Sequence, residues 1–232
     1  QRDALDALYA YWGEGGGNGL IVLPTGAGKA LLIAKLIEEL LSQYPDMRIA
    51  NVTHSASLVE QNFLEFVGLA PFAPAGIYSA SLGRRDTKHQ VLFCGIQSVF
   101  KRTKELGPLD LVIVDEAHAI SRKSDAQYGK FFAGIREVCP DSRIFGTTAT
   151  DYRLDSGRLT EGEDRLFDDV VYEAKLIDLI DHGYLTRLVS AKTGAKIDLK
   201  GVRTEGGEYN ATQVANAAEA IIEQAVAEDM VL

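Results

Sequence analysis

Apolar positions follow two alternating patterns over the first two thirds of the chain. A short continuous apolar run, typical of a strand buried on both faces of a parallel sheet, occurs at 20–23, and largely apolar segments predict further strands at 48–53, 91–96, 109–114 and 143–147. Apolar residues at helical spacing lie around these runs and predict helices at 5–12, 31–41, 58–66 and 126–138. Strands that alternate with helices imply right-handed crossovers, so the pattern predicts an α/β fold with a mostly parallel sheet and helices on both faces.

The pattern becomes less regular after residue 150. Residues 151–169 are polar and predict irregular structure, and residues 201–207 predict a polar loop. Between and after them, we expect strands at 170–173 and 185–191 and helices at 176–180 and 211–231. No apolar run approaches the roughly 20 residues of a membrane span, and no signal peptide opens the chain, so we expect no membrane partner.

A glycine-rich segment follows the first predicted strand and opens the next helix. Glycines allow successive backbone N–H groups to converge on an anion, and the helix N-terminus adds partial positive charge. Lys29 supplies a mobile charge for β- and γ-phosphates. A glycine turn with an exposed lysine is the alternative interpretation, which the strand and helix on either side disfavour. The predicted phosphate-binding residues are Pro24, Thr25, Gly26, Ala27, Gly28, Lys29 and Ala30.

Ala30 departs from the usual pattern of a phosphate-binding loop. A Ser or Thr normally follows the lysine, and its hydroxyl ligates Mg²⁺. A methyl group cannot coordinate a metal, although water can take the position because Mg²⁺ keeps several waters. We therefore expect weakened handling of the Mg²⁺–nucleotide complex.

Two carboxylates follow the fourth predicted strand. In a site with a phosphate-binding loop, Asp115 holds Mg²⁺ directly or through water, and Glu116 polarises the attacking water as general base. An acidic helix N-terminus is the alternative interpretation. The pairing with the upstream loop favours the catalytic one, with Lys29, Asp115 and Glu116 as the candidate catalytic residues.

These segments resemble the superfamily 2 helicases, specifically the DEAD/DEAH-like group that includes restriction-enzyme motor subunits, over most of the chain. Residues 24–29 resemble motif I, Asp115-Glu116-Ala117-His118 resembles a DEAH box, and residues 146–150 resemble motif III with its Thr-Ala-Thr core. Residues 52–55 with Leu58 and Gln61 are similar to motif Ia, and residues 95–98 resemble the segment after the next core strand. Asp151 departs from the pattern, because proline often follows Thr-Ala-Thr in these proteins.

The resemblance implies a RecA-like ATP-binding lobe with ATP and Mg²⁺ as cofactors. It implies lobe 1 at residues 1–170, and its C-terminal end with a linker at 171–232. Helicases of this group close ATP between two lobes, and we recognise no second-lobe motifs or arginine finger before Leu232. The chain starts at Gln1 without methionine, so we expect a fragment, about half of a motor core. A lone lobe is expected to bind nucleotide weakly and to hydrolyse it slowly, because a missing arginine finger alone costs about 10³–10⁵ in rate.

The resemblance also implies roles around the phosphates. Gln1 stands where the last residue of a glutamine motif contacts adenine. His118, Thr148 and Thr150 are expected to couple the γ-phosphate region to the nucleic-acid face. A structural histidine and strand-end capping by the two threonines remain alternatives.

Nucleic acid is expected at the carboxyl ends of the strands, where open α/β sheets bind ligands. Phosphate contacts without sequence readout are predicted for Thr53, His54, Ser55, Gln97 and Ser98. Arg84 and Arg85, with Lys101, add screened attraction, although a solvated basic face remains the alternative. The net charge of −9 does not argue against this partner, because almost all of the acidic excess follows Asp151. DNA is the preferred substrate, and RNA stays open.

Two other functional classes also contain phosphate-binding loops. A nucleotide-dependent switch or scaffold with weak or no ATPase activity is favoured by Ala30. A phosphate-loop kinase or GTPase is disfavoured by the Asp-Glu-Ala-His string and by the lack of an Asn-Lys-x-Asp sequence. The two cysteines, Cys94 and Cys139, cannot form a disulfide framework, and we expect a reduced, cytoplasmic protein.

Overall fold

The computed structural model describes residues 1–120, 126–153, 157–163, 165–186, 204–205, 208–209, 213–214 and 218. Contacts divide the chain into two compact units, Gln1–Leu185 and Thr186–Leu232. The candidate site lies entirely within the first unit.

The strands and helices of the described residues follow one another along the chain. The strands are β1 (Gly19–Val22), β2 (Ile49–Thr53), β3 (Ala75–Ser79), β4 (Arg84–Arg85), β5 (Val91–Gly95), β6 (Leu111–Asp115), β7 (Arg143–Thr148), β8 (Tyr152–Arg153), β9 (Gly157–Arg158), β10 (Asp169–Glu173), β11 (Thr204–Glu205) and β12 (Glu208–Tyr209). The helices are α1 (Arg2–Gly13), α2 (Lys29–Gln43), α3 (Ala56–Leu69), α4 (Ile96–Val99), α5 (Thr103–Leu106), α6 (Gln127–Val138) and α7 (Leu176–Asp181), with 3₁₀ turns at Ala80–Leu82 and Ala117–Ala119.

Eight of the described strands form one sheet in the order β10-β1-β7-β6-β2-β5-β3-β4. All neighbouring pairs are parallel except β3 with β4, which are antiparallel. The predicted α/β fold with a mostly parallel sheet is confirmed.

Side chains alternate between the two faces of this sheet, and each face supports a separate core. Ile21, Ile113 and Phe145 point to the face covered by α1, α2 and α3. Leu20 and Val112 point to the opposite face, where α6 packs. Because both faces are covered, apolar residues stand at consecutive positions in these strands, which explains the largely apolar segments in the sequence.

The structure adds elements that the hydrophobic pattern did not predict. β3 and β4 extend the sheet at one edge, and within the predicted irregular segment 151–169 the strands β8 and β9 form a small antiparallel pair. Within the predicted loop 201–207, β11 pairs with β12.

Several predictions lie wholly or partly outside the described residues. Residues 185 and 186 are not in a strand, and the rest of the strand predicted at 185–191 is outside. Residues 213, 214 and 218 are helical, and the remainder of the helix predicted at 211–231 is outside. Within the described part of the chain, no helix has the length and apolar character needed to cross a membrane.

Candidate functional site

Three neighbouring strands deliver the predicted phosphate and metal residues to one edge of the sheet. β1 leads into the glycine-rich loop, β7 leads into Thr148, and β6 ends at Asp115. Val22 pairs with Thr148, and Asp115 pairs with Thr147, so the strand ends are level. Adjacent strands are about 4.8 Å apart, so segments distant in sequence share one small region.

The glycine-rich loop turns sharply before α2. Gly26 and Gly28 have φ angles of 83° and 85°, in the left-handed region that favours glycine. A Cβ at Gly28 would collide with the side-chain amide of Gln1, whose Nε2 donates to the Ala27 carbonyl at 3.3 Å. The predicted adenine contact, Gln1, therefore lies against the loop.

Lys29 points from the start of α2 back toward the carboxyl ends of the strands. Its Nζ lies 3.4 Å from Glu116 Oε1 and donates to the Leu23 carbonyl at 3.4 Å. The Lys29 side chain is only 10% exposed, so solvent screens this ion pair less than it screens a surface pair. The predicted phosphate lysine and the predicted base thus face the same space.

Glu116 has an unusual backbone conformation. Its φ of 53° is the one positive value at a non-glycine residue among the described residues. Left-handed backbone costs a non-glycine residue of order 1–3 kcal/mol and persists where the surrounding structure enforces it. Here it accompanies a carboxylate placed between Lys29 and His118, whose Nδ1 lies 3.3 Å from Glu116 Oε2.

These neighbours lower the pKa of Glu116 below its ordinary value of 4.5. The hydrogen bond from His118 is the largest cause, and the charge of Lys29 adds to it, while partial burial opposes both. Glu116 is therefore a carboxylate at neutral pH, the form that accepts a proton.

Asp115 is 3% exposed and almost fully hydrogen-bonded. Its Oδ1 accepts from the Thr147 hydroxyl at 2.8 Å and from the backbone N–H of Glu116 at 3.0 Å. Its Oδ2 accepts from Asn62 Nδ2 at 2.9 Å. A carboxylate offers about four lone-pair positions, so one acceptor position is left, on Oδ2.

The predicted coupling residues are brought together. His118 Nδ1 lies 3.0 Å from Thr148 Oγ1. The Thr148 hydroxyl donates to the Thr150 carbonyl at 2.8 Å and accepts from the Thr150 N–H at 3.2 Å. Thr150 takes part through its backbone, whereas Thr148 contributes its side chain.

The donor set fits Mg²⁺ and a nucleotide triphosphate in its chemistry. Hard carboxylate oxygens are ligands that Mg²⁺ prefers, and Asp115 retains one free acceptor position. The loop supplies left-handed glycines and Lys29 for phosphate oxygens. Ala30, in the first turn of α2, adds no oxygen, so the protein would hold the metal mainly through Asp115.

The predicted nucleic-acid residues continue along the same edge, in β2 and the turn after it, in α4 after β5, and in β4. Thr53 is completely buried at the end of β2, while His54 is exposed and Gln97 Nε2 donates to its carbonyl at 2.6 Å. Ser55 contacts Ser57 through its hydroxyl, and the Ser98 hydroxyl accepts from the Ala80 N–H.

Arg84 and Arg85 reach this edge through the antiparallel strand β4. Arg84 pairs with Ser79 at the carboxyl end of β3. It also forms an ion pair with Asp86 at 2.7 Å and lies over the ring of Phe63. Arg85 is exposed. The sheet edge thus carries the predicted phosphate and metal residues at the ends of β1, β7 and β6, and the predicted nucleic-acid residues in β2, in β4 and in the segments that follow β2 and β5.

Sequence reasoning missed three residues that surround Asp115. Asn62, Asn51 and Thr147 are buried polar residues, and Asn62 Nδ2 also donates to Asn51 Oδ1 at 3.1 Å. The available signal was a polar residue inside an apolar strand, as at Asn51, because buried polar groups need partners.

The chain is similar in sequence to a known protein family and to a yeast protein. The family model described as type III restriction enzyme, res subunit, matches residues 1–153. A Saccharomyces cerevisiae protein named as ATP-dependent helicase IRC3 is 23% identical over 217 residues, covering 90% of this chain and 31% of the yeast protein. The chain thus spans less than a third of that relative.

Two solved structures are similar in fold. The Pyrococcus furiosus Hef helicase domain has a TM-score of 0.57 at 19% identity, covering 71% of this chain and 36% of that one. The Type ISP restriction-modification enzyme LlaGI has a TM-score of 0.56 at 14% identity, covering 79% of this chain and 20% of the LlaGI chain. At these identities the likeness shows the fold, which is that of a RecA-like helicase lobe. With the family model matching well over half of its length, the chain belongs to the family of the type III restriction enzyme res subunit.

Proposed function

We propose that this chain is the ATP-binding lobe of a superfamily 2 helicase or translocase, which couples ATP hydrolysis to movement on nucleic acid, with duplex DNA preferred. The observation that carries the proposal is the meeting of Lys29, Glu116 and Asp115 at the end of three adjacent strands. Family membership and the fold support it.

ATP and Mg²⁺ are the proposed cofactors. The loop amides and Lys29 bind the phosphates, Gln1 lies where a base would be contacted, and Asp115 holds the metal. When bound, Mg²⁺ supplies charge that neutralises the phosphate oxygens as the terminal phosphate leaves. The chain contributes orientation and fixed dipoles, which is the main part of catalysis in phosphoryl transfer.

Glu116 is the proposed general base. Its lowered pKa keeps it ionised, and a water beside it can transfer a proton to the carboxylate as it attacks. When the phosphates bind, before the attack, Lys29 turns from Glu116 to the phosphate oxygens, which leaves the Glu116 carboxylate to the attacking water. His118 contacts both Glu116 and Thr148, and Thr148 is hydrogen-bonded to Thr150. We therefore assign His118, Thr148 and Thr150 to coupling between the γ-phosphate region and the nucleic-acid surface.

The proposed nucleic-acid surface comprises the segments at the ends of β2, β5, β3 and β4. His54, Ser55 and Gln97 are joined in one polar cluster by the hydrogen bond from Gln97 to His54, and Ser98 is adjacent in sequence. Arg84 and Arg85 add positive charge to the same edge. The contacts are to phosphates, because short polar side chains and arginines on an exposed edge bind backbone without reading bases. LlaGI, solved with a DNA substrate mimic, supports the choice of DNA.

The proposed domain arrangement is lobe 1 at residues 1–170, followed at 171–232 by its C-terminal end and a linker to a second RecA-like lobe. The pairing of β10 with β1 supports a continuation of lobe 1 beyond residue 170. Free thiols at Cys94 and Cys139 support a cytoplasmic location.

The test is ATP hydrolysis by the full-length protein, measured alone, with duplex DNA, with single-stranded DNA and with RNA. We expect turnover to rise most with duplex DNA. If only RNA raised ATP turnover, RNA would replace duplex DNA as the proposed substrate. No stimulation by any nucleic acid, with wild-type protein and with Ala30→Thr, would overturn the motor function.

A nucleotide-dependent switch or scaffold is the second candidate, and Ala30 is the observation that favours it. A switch binds nucleotide and changes partner affinity with little turnover. Nucleotide binding without stimulated hydrolysis in the same assay would identify it.

A further inference from the structure

A buried polar cluster lies between the proposed phosphate and metal residues, at the ends of β1, β7 and β6, and the proposed nucleic-acid surface. Asn51, Asn62, Asp115 and Thr147 are each 3% exposed or less, although they lie among apolar core residues. They come from β2, α3, β6 and β7 and share the face of the sheet that α3 covers. Burying polar groups is costly unless they are hydrogen-bonded. In this cluster both oxygens of Asp115 accept hydrogen bonds, whereas Asn51 Nδ2 and Asn62 Oδ1 have no hydrogen-bond partner among the described residues.

Asn62 supplies the side-chain donor to one oxygen of Asp115. Its Nδ2 group has two N–H bonds, which go to Asp115 Oδ2 at 2.9 Å and to Asn51 Oδ1 at 3.1 Å. Oδ1 of Asp115 is already taken by Thr147 and by the backbone. The one open acceptor position is therefore on the oxygen that Asn62 holds, and Asn62 orients the oxygen available to a metal or its water.

Asn62 also lies on the helix that begins at the proposed nucleic-acid surface. Ser55 is the N-cap of α3, and His54 precedes it. Gln97 fixes the backbone of this turn through the His54 carbonyl. A displacement of the turn by a bound phosphate chain would move α3, and Asn62 would carry that movement to Asp115.

We propose that Asn62 is a positioning residue that fixes Asp115 for Mg²⁺ and links nucleic-acid binding to the metal site. This inference rests on the proposed function. It assigns the link between the metal site and the nucleic-acid surface to the buried amide of Asn62. This link is separate from the coupling proposed for His118 and Thr148.

The test compares Asn62→Leu, which has similar volume and no donor, with Asn51→Val. The control also removes a buried amide from the cluster but leaves the Asn62 donor to Asp115. In the full-length protein, the affinity for a fluorescent ADP is measured at equilibrium over a Mg²⁺ titration and in EDTA. The stimulation of ATP hydrolysis by duplex DNA is measured in parallel.

We expect Asn62→Leu to raise the Mg²⁺ concentration for half-maximal binding about 10-fold, the lower end for residues that orient a metal ligand. Affinity in EDTA should stay unchanged, and DNA stimulation should fall more than basal turnover. Asn51→Val should leave the Mg²⁺ midpoint within about twofold of wild type, below the roughly 10-fold lower end for residues that orient a metal ligand. If Asn62→Leu does not fold, Asn62→Ser, which is too short to reach Asp115, takes its place.

An unchanged Mg²⁺ midpoint, or equal shifts in the Asn62 and Asn51 variants, would overturn the inference and leave Asn62 a structural residue. Wild-type protein separates this failure from that of the proposed function. If wild type shows neither Mg²⁺-dependent nucleotide binding nor DNA stimulation, the proposed function fails. If it shows both and Asn62→Leu retains both, only the role of Asn62 fails.

Discussion

Lys29 and Glu116 form a partly buried ion pair, with 3.4 Å between Nζ and Oε1, although one follows β1 and the other β6. In the proposed function, each neutralises the other until phosphates and an attacking water take their places. The pair would then connect the proposed phosphate-binding and proton-accepting roles, which mutation can separate.

Lys29→Ala and Glu116→Gln should fail at different steps. We expect Lys29→Ala to lose nucleotide binding, because it removes the charge that faces the phosphates. Glu116→Gln should retain binding and lose about 10²–10⁴ in turnover, the usual contribution of a general base. Equilibrium binding and single-turnover hydrolysis in the full-length protein measure the two steps. Equal loss of binding in both variants would contradict the assigned roles.

Replacing His118 should raise the pKa of Glu116. The hydrogen bond from His118 is the main cause of the lowered pKa, so in His118→Ala the carboxylate takes up its proton at a higher pH. As the pH falls, Glu116 then becomes protonated at a higher pH than in wild type, so the acid limb of the profile of kcat against pH shifts to higher pH. An NMR titration of labelled glutamate carboxyls reports the same change without turnover, and an unchanged Glu116 titration would contradict it.

Ala30→Thr should lower the Mg²⁺ concentration needed for half-maximal ATP hydrolysis, because the hydroxyl restores a metal ligand at the start of α2. Ala30→Val is the matched control, since valine has the shape of threonine and no oxygen. If both variants behave alike, the effect comes from packing, and the position has no part in metal binding.

Gly146→Ala should destabilise the sheet. A Cβ at this position of β7 would lie 2.5 Å from the ring of Phe167 and 2.8 Å from Leu20 Cδ1, so the core must shift. Overpacking of this kind costs about 1–3 kcal/mol. Gly68→Ala in α3 is the control, because its Cβ meets nothing within 4 Å and alanine favours a helix. Urea denaturation of both variants measures the difference, and equal midpoints would contradict it.

Arg85→Gln should weaken binding to duplex DNA and flatten its salt dependence. One phosphate contact changes the slope of log K against log salt by about 0.9. Lys35→Gln is the charge-matched control, since Lys35 is paired with Glu38 on α2 away from the strand ends. Identical slopes for the two variants would place Arg85 on a solvated face.

Much of the fold is encoded locally in the sequence. Strands covered on both faces need apolar side chains at consecutive positions, and the chain shows largely apolar segments at β1, β2, β5, β6 and β7. The edge strand β4 has two arginines and no apolar pattern, so its pairing with β3 follows only from the folded chain. The pairing of β8 with β9 could not be predicted for the same reason, because two-residue strands are too short to show a period in the sequence.

The sequence by itself determined the chemistry available: the glycines and Lys29 of the loop, the carboxylates of Asp115 and Glu116, and the strand before each. Tertiary structure decided which of these groups meet. The strand order places β7 between β1 and β6, so that Lys29 reaches Glu116 and Thr147 reaches Asp115. It also places β2, against which α3 packs, beside β6, so that Asn62 binds the other oxygen of Asp115. Local patterns record burial and backbone preference, whereas such contacts depend on which strands become neighbours, and that is set by packing of the whole sheet.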